Sequence, residues 1–366
     1  MPTNAGKSTR NGNLDAMRGL AAIVVLLDHV LACYPNFSSG QNASPAYAVV
    51  SHTPLHLVWD GAAAVILFFL LSGFALNLWT ETGNFTWVAY YPSRLLRLYL
   101  PVAGACLLGW AIIQIRPPTG PLDSTWATRN STYTFWAALQ DSTLIHLSGQ
   151  IGPLWSLQWE VIFSLALPAF VLLIKKCSPV AVACFSAIAI AFGIVADVPH
   201  LIYVPIFLLG MVLKVPGQRF RILLLRANAA KYGCIVLSIL ILELPWMLDG
   251  TCSGKVEVAL CTFSRIIGSI GLIISVGFVS GFSKPLTSRP AQWFGKISFS
   301  LYLVHEPIAI AFYRLFQGHI LAIVFIPVLC LCFAAVFCKF VESPAHRLSR
   351  QTYQILARRD PGPSAI

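Results

Sequence analysis

The chain has 366 residues, of which 57% are hydrophobic and only 11% are charged, and its mean hydropathy is +0.73. A soluble domain carries about 25% charged residues, so this composition excludes an ordinary soluble globule and indicates a polytopic membrane protein. The net charge of +11 could indicate a nucleic-acid partner, but the distribution of the basic residues argues against one.

Ten apolar runs approach the roughly 20 residues that a helix needs to cross a bilayer. The sequence therefore predicts an all-α integral membrane protein, a bundle of about ten transmembrane helices. The predicted spans are Leu14–Cys33, Leu57–Trp79, Leu95–Ile115, Pro153–Ile174, Pro179–Val195, His200–Leu213, Tyr232–Leu248, Thr262–Phe282, Ile297–Phe316 and Ile320–Phe340. The sixth is short enough to be re-entrant. We expect one domain at 14–344, between a cytoplasmic N-terminal tail at 1–13 and a cytoplasmic C-terminal tail at 345–366.

The basic residues follow the predicted topology. With the N-terminus in the cytoplasm, 20 of the 25 lysines and arginines fall on inner segments or inner helix ends. Outer loops hold only Arg116, Arg129 and Lys255, while Arg265 and Arg314 lie within spans. This distribution is the positive-inside bias. We therefore expect a protein of the plasma (inner) membrane with both termini in the cytoplasm and no nucleic-acid partner.

The ten cysteines lie mostly inside apolar runs and form no C-x-x-C pair. We expect them to be small buried apolar residues, with neither a disulfide framework nor a metal site.

The first predicted span reads LDAMRGLAAIVVLLDHV from Leu14 to Val30 and carries four ionisable residues, Asp15, Arg18, Asp28 and His29. Arg18 and His29 are eleven positions apart, or about three helical turns, so they share one face and lie about 16 Å apart along the axis. Asp15 can cap the start of this helix. Ionisable groups at such depth are costly to insert, so they are candidate functional residues.

The second and third spans carry small and basic residues. The run FFLLSGFALNLW places Ser72 and Gly73 about 22 Å from the outer end of its helix. Gly73 could admit a thin ligand or a close helix crossing, and the sequence leaves both open. Arg94 and Arg97, three residues apart at the inner surface, could hold phosphates bidentately, or anchor lipid headgroups. Because Arg18 lies on the same side of the membrane, a phosphate site formed by all three arginines is as well supported as a lipid-headgroup anchor.

The fourth and ninth spans carry possible acid–base residues. Glu160, in the run GPLWSLQWE with Trp155, would lie about 10 Å from the outer face, and His29 about 21 Å from the inner face of a core about 30 Å thick. The two therefore have the same predicted depth, where a histidine and a carboxylate could form a general base or a structural polar pair. His305, in the run SFSLYLVHEP, is a second candidate base.

These motifs together resemble the membrane-bound acyltransferase 3 family. The first span is similar to the opening pattern Leu-Asp-Gly-Leu-Arg-Gly-(Leu/Ile)-Ala followed by a histidine, with departures at Ala16 and Met17. The runs FFLLSGF, R-x-x-R before an aliphatic residue and tyrosine, PLWSLQWE, SFSLYLVHEP and VESP are similar to its later motifs, with Phe299 replacing a usual tyrosine. The resemblance extends from Leu14 to Pro344, and we therefore expect no room for the hydrolase-like domain that some members append.

The resemblance implies a membrane O-acyltransferase. Its expected reaction moves an acyl group, above all acetyl, from cytoplasmic acyl-CoA to a hydroxyl of a cell-surface, exported or lipid-linked carbohydrate, with acetyl-CoA as donor substrate and no metal. The implied site residues are catalytic His29 and Glu160, donor-binding Arg18, Ser72, Arg94 and Arg97, and secondary Asp15, Trp155 and His305. The expected partners are a carbohydrate or glycolipid acceptor, acyl-CoA and the lipid bilayer. Two outer segments, 34–56 and 116–152, have a composition that suits sugar binding, although ordinary wet loops are the better-favoured alternative.

The alternative function is a multi-span transporter or flippase with a proton relay through Asp28, His29, Glu160 and His305. Transporters often show paired repeats and helices broken at corresponding positions. No repeat is evident in this sequence, and arginines at the inner surface suit a donor that carries phosphates. The sequence therefore favours the enzyme.

Overall fold

The computed structural model describes residues 12–37, 44–82, 85–115, 133–214, 218, 228–248, 254–278 and 283–359. These residues contain no β-strand. Their α-helices are α1 Gly12–Ala32, α2 Pro45–Ser51, α3 Gly61–Thr80, α4 Trp87–Ile115, α5 Phe135–Ser142, α6 Leu154–Lys176, α7 Pro179–Ala196, α8 Pro199–Val212, α9 Asn228–Leu248, α10 Lys255–Phe278, α11 Ser283–Leu286, α12 Arg289–Leu315, α13 Ala322–Phe337 and α14 Ser343–Arg359. A π-helical turn, Cys338–Glu342, joins α13 to α14.

Six helical stretches among the described residues are long and apolar enough to cross a membrane. They are α3, most of α4, α6, α7, most of α10 and the continuous stretch Ala322–Arg359. Helix α8 and the part of α9 at Tyr232–Leu248 are apolar but shorter. Each of the ten predicted spans falls on a helix, and the last four residues of the eighth lie outside the described residues. The number ten is not confirmed, because α1 and α12, which both carry ionisable residues, are not among the six.

Serine and proline define where several of these helices begin. Ser178 accepts a hydrogen bond from the backbone N–H of Ala181, and Pro179 occupies the first turn of α7. Ser288 caps α12 in the same way, again with a proline in the first turn. A serine oxygen satisfies one of the unpaired N–H groups of a helix start, and proline lacks the N–H that would be left over.

The contacts of α1 show its direction relative to α3. Near the start of α1, Arg18 donates a hydrogen bond to Ser72 in the later half of α3, at 3.4 Å. Near its end, Asp28 lies against Gly61, the first residue of α3. The two helices are therefore antiparallel, as alternating passages through a membrane require.

Helix α3 crosses α8 at two glycines. A Cβ added at Gly73 would overlap the carbonyl oxygen of Phe207, and a Cβ added at Gly210 would overlap the carbonyl oxygen of Leu70. Asn77 extends the contact by donating a hydrogen bond to the carbonyl of Met211, at 3.0 Å. Small residues let two backbones approach in this way. Gly73 therefore serves a helix crossing, the structural alternative that the sequence left open.

The segment predicted as a C-terminal tail, 345–366, is helical as far as Arg359 and packs on the bundle. Ser349 donates a hydrogen bond to the carbonyl of Ser93 on α4, at 2.7 Å. The hydroxyl of Tyr353 accepts one from the N–H of Thr86, at 3.2 Å, and its ring lies 5.4 Å from that of Trp79. Helix α14 is thus part of the folded body and faces the beginning of α4.

One cysteine departs from the sequence expectation. Cys261, in the second turn of α10, is disulfide-bonded, whereas eight other described cysteines are free. The expectation that no cysteine forms a disulfide was wrong at this position. Pairing depends on spatial proximity, which the spacing of cysteines along the chain does not show.

Candidate active site

Two parallel helices bring His29 and His305 together. Helix α1 contacts α12 where Gly19 meets Gly295, and a Cβ on Gly19 would lie 2.6 Å from the carbonyl carbon of Phe294. Each histidine follows the glycine of its own helix by ten residues. Because the helices run in the same direction, this equal spacing lifts both side chains to the same height above the crossing. Nδ1 of His29 then lies 2.9 Å from Nε2 of His305.

The surroundings of this histidine pair fix its tautomers. Nδ1 of His305 lies 2.9 Å from the carbonyl oxygen of Leu301. A carbonyl oxygen can only accept, so this nitrogen carries the proton, and in a neutral ring Nε2 of His305 is then an acceptor. Nδ1 of His29 must donate to it, which leaves the lone pair of neutral His29 on Nε2. The pair therefore presents one defined basic nitrogen.

The two histidines differ in access. His305 has 0% exposure, whereas His29 is half-buried. A reacting group that entered from outside the packed core would meet His29 first. In this arrangement His29 can perform proton transfer, and His305 can hold its ring in position.

A cavity of about 420 Å³ lies between the first halves of α1, α4, α6 and α12, the middle of α3, the π-helical turn and the start of α14. Six of the nine site residues that the sequence singled out line it. These are Asp15, Arg18, Ser72, Arg94, Arg97 and Glu160. His29, Trp155 and His305 are not in its lining. Tyr302 connects the two sites, since it lines the cavity while its ring centroid lies 6.1 Å from that of His305.

The cavity carries more positive charge than the sequence predicted. In addition to the three predicted arginines it is lined by Lys296, Arg347 and Arg350, against the carboxylates of Asp15, Glu160 and Glu342. Arg97, Arg347 and Arg350 are exposed toward it and make no hydrogen bond or ion pair with the described part of the chain. Three guanidinium groups in one cavity that make no hydrogen bond or ion pair with the described residues are suited to bind a ligand with several phosphate or carboxylate groups.

The C-terminal contribution to this cavity was missed by the sequence reasoning, which assigned 345–366 to a tail. Glu342 is held in the π-helical turn, where its carboxylate accepts hydrogen bonds from the backbone N–H and the hydroxyl of Ser300. The turn directs α14 back across the mouth of the cavity and brings Arg347 and Arg350 to its lining. The only available signal was the spacing of arginines three residues apart at 347 and 350, which repeats that of Arg94 and Arg97.

Glu160 does not take the position that the sequence predicted. Its carboxylate lies 2.5 Å from Nη2 of Arg94, and Nε of Arg94 donates to Ser164 at 3.2 Å. Glu160 and His29 therefore do not form the expected pair, because the ion pair with Arg94 places Glu160 at the level of the arginines and α12 rather than α6 lies beside His29. Glu160 instead orients an arginine of the cavity.

Trp155 faces away from the cavity. It is 38% exposed, and its ring lies 4.9 Å from that of Tyr203 and 6.3 Å from that of Phe69. The residue next to it, Ser156, is the one that reaches the site, where its hydroxyl lies 2.6 Å from the hydroxyl of Tyr302.

A second buried polar cluster lies at the other end of α3. Nδ1 of His56 lies 2.9 Å from a carboxylate oxygen of Glu243, and Arg265 donates to Asp60 at 3.0 Å. The ligand atoms of His56, Asp60 and Glu243 lie within 4.8 Å of one another, close enough for a metal ion, so the absence of a metal stays a prediction. Sequence reasoning passed over this cluster, although a lone glutamate in the apolar run of α9 is itself a sign of function.

The four residues of the alternative proton relay are divided among these sites. His29 and His305 are hydrogen-bonded to each other. Glu160 is bonded to Arg94 in the cavity, and Asp28 lies against Gly61 near the second cluster. The structure thus joins only two of the four.

The chain resembles known proteins along most of its length. Residues 11–341 match a family described as an acyltransferase domain. Acyltransferase MdmB of Streptomyces mycarofaciens is similar, with 24% identity over 332 residues that cover 84% of this chain and 81% of that protein. No solved structure matches. The matched range includes the histidine pair and most residues that line the cavity.

Proposed function

The chain belongs to this acyltransferase family and is a membrane acyltransferase, and from that membership we propose that it transfers an acyl group from acyl-CoA to a hydroxyl of a carbohydrate. The simplest acyl group is acetyl. The acceptor would be a cell-surface, exported or lipid-linked sugar. Family membership does not favour the transporter or flippase.

The observation that carries the proposal is the group of arginines in the cavity that make no hydrogen bond or ion pair with the described residues. Acyl-CoA bears a pyrophosphate and a 3′-phosphate, and Arg97, Arg347 and Arg350 offer guanidinium groups whose hydrogen-bond donors are not taken by any described residue. Arg18 and Arg94 line the same space. Charge-assisted, bidentate contacts between arginine and phosphate are among the strongest hydrogen bonds in proteins.

The remaining cavity suits the pantetheine arm. Its lining also includes Ser72 and the rings of Phe68 and Tyr302, which lie 5.4 Å apart. Tyr302 is one turn before His305, so an arm that follows this wall would bring its thioester toward the histidine pair. Ser72 lines the route, whereas Gly73 faces α8 and takes no part in it.

We assign proton transfer to His29. Nε2 of His29 would take the proton of the acceptor hydroxyl while that oxygen attacks the thioester carbonyl, and the CoA sulfur would leave and regain the proton from the imidazolium. His305 would accept the hydrogen bond from Nδ1 of His29 and so keep the basic nitrogen on the substrate side. An acyl-histidine formed at the same nitrogen is the alternative route. Glu160 would position Arg94 rather than the imidazole.

The proposed orientation places the mouth of the cavity in the cytoplasm, where acyl-CoA is made, together with both termini. The disulfide at Cys261 supports it, because disulfides persist in oxidising compartments and α10 begins on the side predicted to be outside. On that side Tyr47 and Trp59, with ring centroids 5.9 Å apart, lie near the second polar cluster. Rings and carboxylates together could bind a polyhydroxylated acceptor.

The direct test compares surface glycans and glycolipids of cells with and without the protein by mass spectrometry. We expect one acyl modification to disappear with the protein and to remain absent when His29→Ala is expressed at a normal level. Proteoliposomes given labelled acetyl-CoA on the side of the cavity should then label the acceptor so identified. Uptake of a labelled solute into such vesicles without acyl-CoA, with no transfer, would contradict the proposal and favour the transporter.

A further inference from the structure

A second, smaller cavity of about 230 Å³ adjoins the first. The two share Arg94, Arg97 and Arg350, which therefore stand at the border between them. The smaller cavity is lined by residues from the end of α3, the start of α4 and α14. No acidic side chain is among the described residues that line it.

The side chains beyond the shared arginines differ in chemistry from those of the larger cavity. Trp79 and Tyr353 supply aromatic rings, and both are half-buried. Gln354 is exposed and makes no hydrogen bond with the described part of the chain. Aromatic faces bind planar bases by stacking, and a glutamine amide can pair with the N6 and N7 positions of adenine.

We propose that the smaller cavity binds the adenosine end of CoA, with the purine on Trp79 and its polar edge toward Gln354. This inference rests on the proposed function, since it assumes an acyl-CoA donor. In CoA the order along the molecule is purine nucleoside, phosphates, pantetheine and thioester. In the protein the order is aromatic cavity, shared arginines, larger cavity and histidine pair. The two orders coincide.

This assignment distinguishes among donors. A phosphopantetheine arm on a carrier protein has one phosphate and no base, so it would leave the smaller cavity empty. A phospholipid headgroup would use the arginines alone. A nucleotide-bearing donor uses the arginines and the aromatic cavity together, and free CoA is therefore the donor we assign.

The test measures binding of three probes to the detergent-purified full chain: CoA, adenosine 3′,5′-bisphosphate and 4′-phosphopantetheine. We expect Trp79→Ala to weaken the first two by about 5- to 150-fold, as removal of one stacked base contact does. Gln354→Ala should weaken them by a smaller factor. Binding of 4′-phosphopantetheine should be the same in both variants as in the wild type. Trp293→Ala is the matched control, because Trp293 is 41% exposed and lines neither cavity.

Unchanged affinity of Trp79→Ala and Gln354→Ala for adenosine 3′,5′-bisphosphate would overturn the inference, even if the wild type transferred acetyl from acetyl-CoA. An equal loss of affinity for 4′-phosphopantetheine would also overturn it. Trp79 packs against Tyr90 at 5.3 Å, so Trp79→Ala could fail to fold. Gln354 is exposed and makes no hydrogen bond with the described part of the chain, so Gln354→Ala should fold and then decides the question. Failure of the proposed function has a separate signature, namely no transfer from acetyl-CoA by the wild type.

Discussion

Replacing Arg97 by alanine tests the donor site with the least disturbance of the fold. Arg97 is exposed toward the cavity, and no described residue loses a hydrogen bond or ion pair when its guanidinium is removed. A hydrogen bond to a charged group contributes about 1.5–3 kcal/mol. At about 1.4 kcal/mol for each factor of ten, loss of one phosphate contact should raise the Kd for CoA by about 10- to 150-fold. Stability should not change.

Arg94→Ala should behave differently, although Arg94 is only one turn away. Its ion pair with Glu160 is mostly buried, with side-chain exposures of 8% and 15%. Removing one partner of a buried pair leaves the other charge uncompensated, which costs about 3–5 kcal/mol. Arg94→Ala should therefore lose both CoA affinity and thermal stability, and Arg94→Ala with Glu160→Gln should recover stability without recovering affinity.

Calorimetric titration with CoA, together with thermal unfolding of the same detergent-purified samples, measures both quantities. Lys255→Ala is the control for a change of net charge, because Lys255 is exposed at the start of α10, far from the cavity lining. A well-folded Arg97→Ala that binds CoA as tightly as the wild type would refute the assignment of the cavity to the donor phosphates.

Three other predictions follow from the same geometry. His29→Ala should abolish detectable transfer while CoA binding survives, since loss of a general base lowers the rate by about 10²–10⁴-fold. His305→Ala should lower the rate by less. If the measured rates rank the two variants in the opposite order, His305 is the base. Gly73→Ala should lower the thermal stability strongly, because its Cβ has no room beside α8, and an unfolding temperature equal to that of the wild type would contradict the crossing. An impermeant maleimide should label Trp136→Cys only from outside and Arg358→Cys only from the cytoplasm, and the reverse pattern would invert the proposed orientation.

The sequence predicted depth better than lateral position. A helix rises by a fixed distance per residue, so Arg18, Ser72, Arg94 and Arg97 could be placed at one level of the bundle, and the structure brings all four to one cavity. The same reasoning placed Glu160 at the level of His29, which was wrong, because its ion pair with Arg94 puts it at the level of the arginines. Helix rise also does not show which helices lie side by side, and the helix beside His29 is α12 rather than α6.

The C-terminal helix α14 is a second feature that the sequence did not predict. Its residues are too polar to read as a span, and a polar segment after the last apolar run is ordinarily a solvated tail. The π-helical turn at Cys338–Glu342, stabilised by the bonds from Ser300 to Glu342, redirects the chain toward α4. Such a turn depends on a partner about 40 residues away, which no local pattern indicates.

The sequence nevertheless encodes which helices lie side by side, in glycines that take no part in the reaction. The contact of Gly19 with the backbone at Gly295 selects α12 as the neighbour of α1, and the ten-residue spacing from each glycine to its histidine converts that contact into a hydrogen bond between the rings. Had α1 and α12 been antiparallel, equal spacing would have placed the histidines on opposite sides of the crossing. In the structure the two helices run in the same direction. The basic nitrogen of His29 thus depends on two glycines and on topology as much as on the histidines themselves.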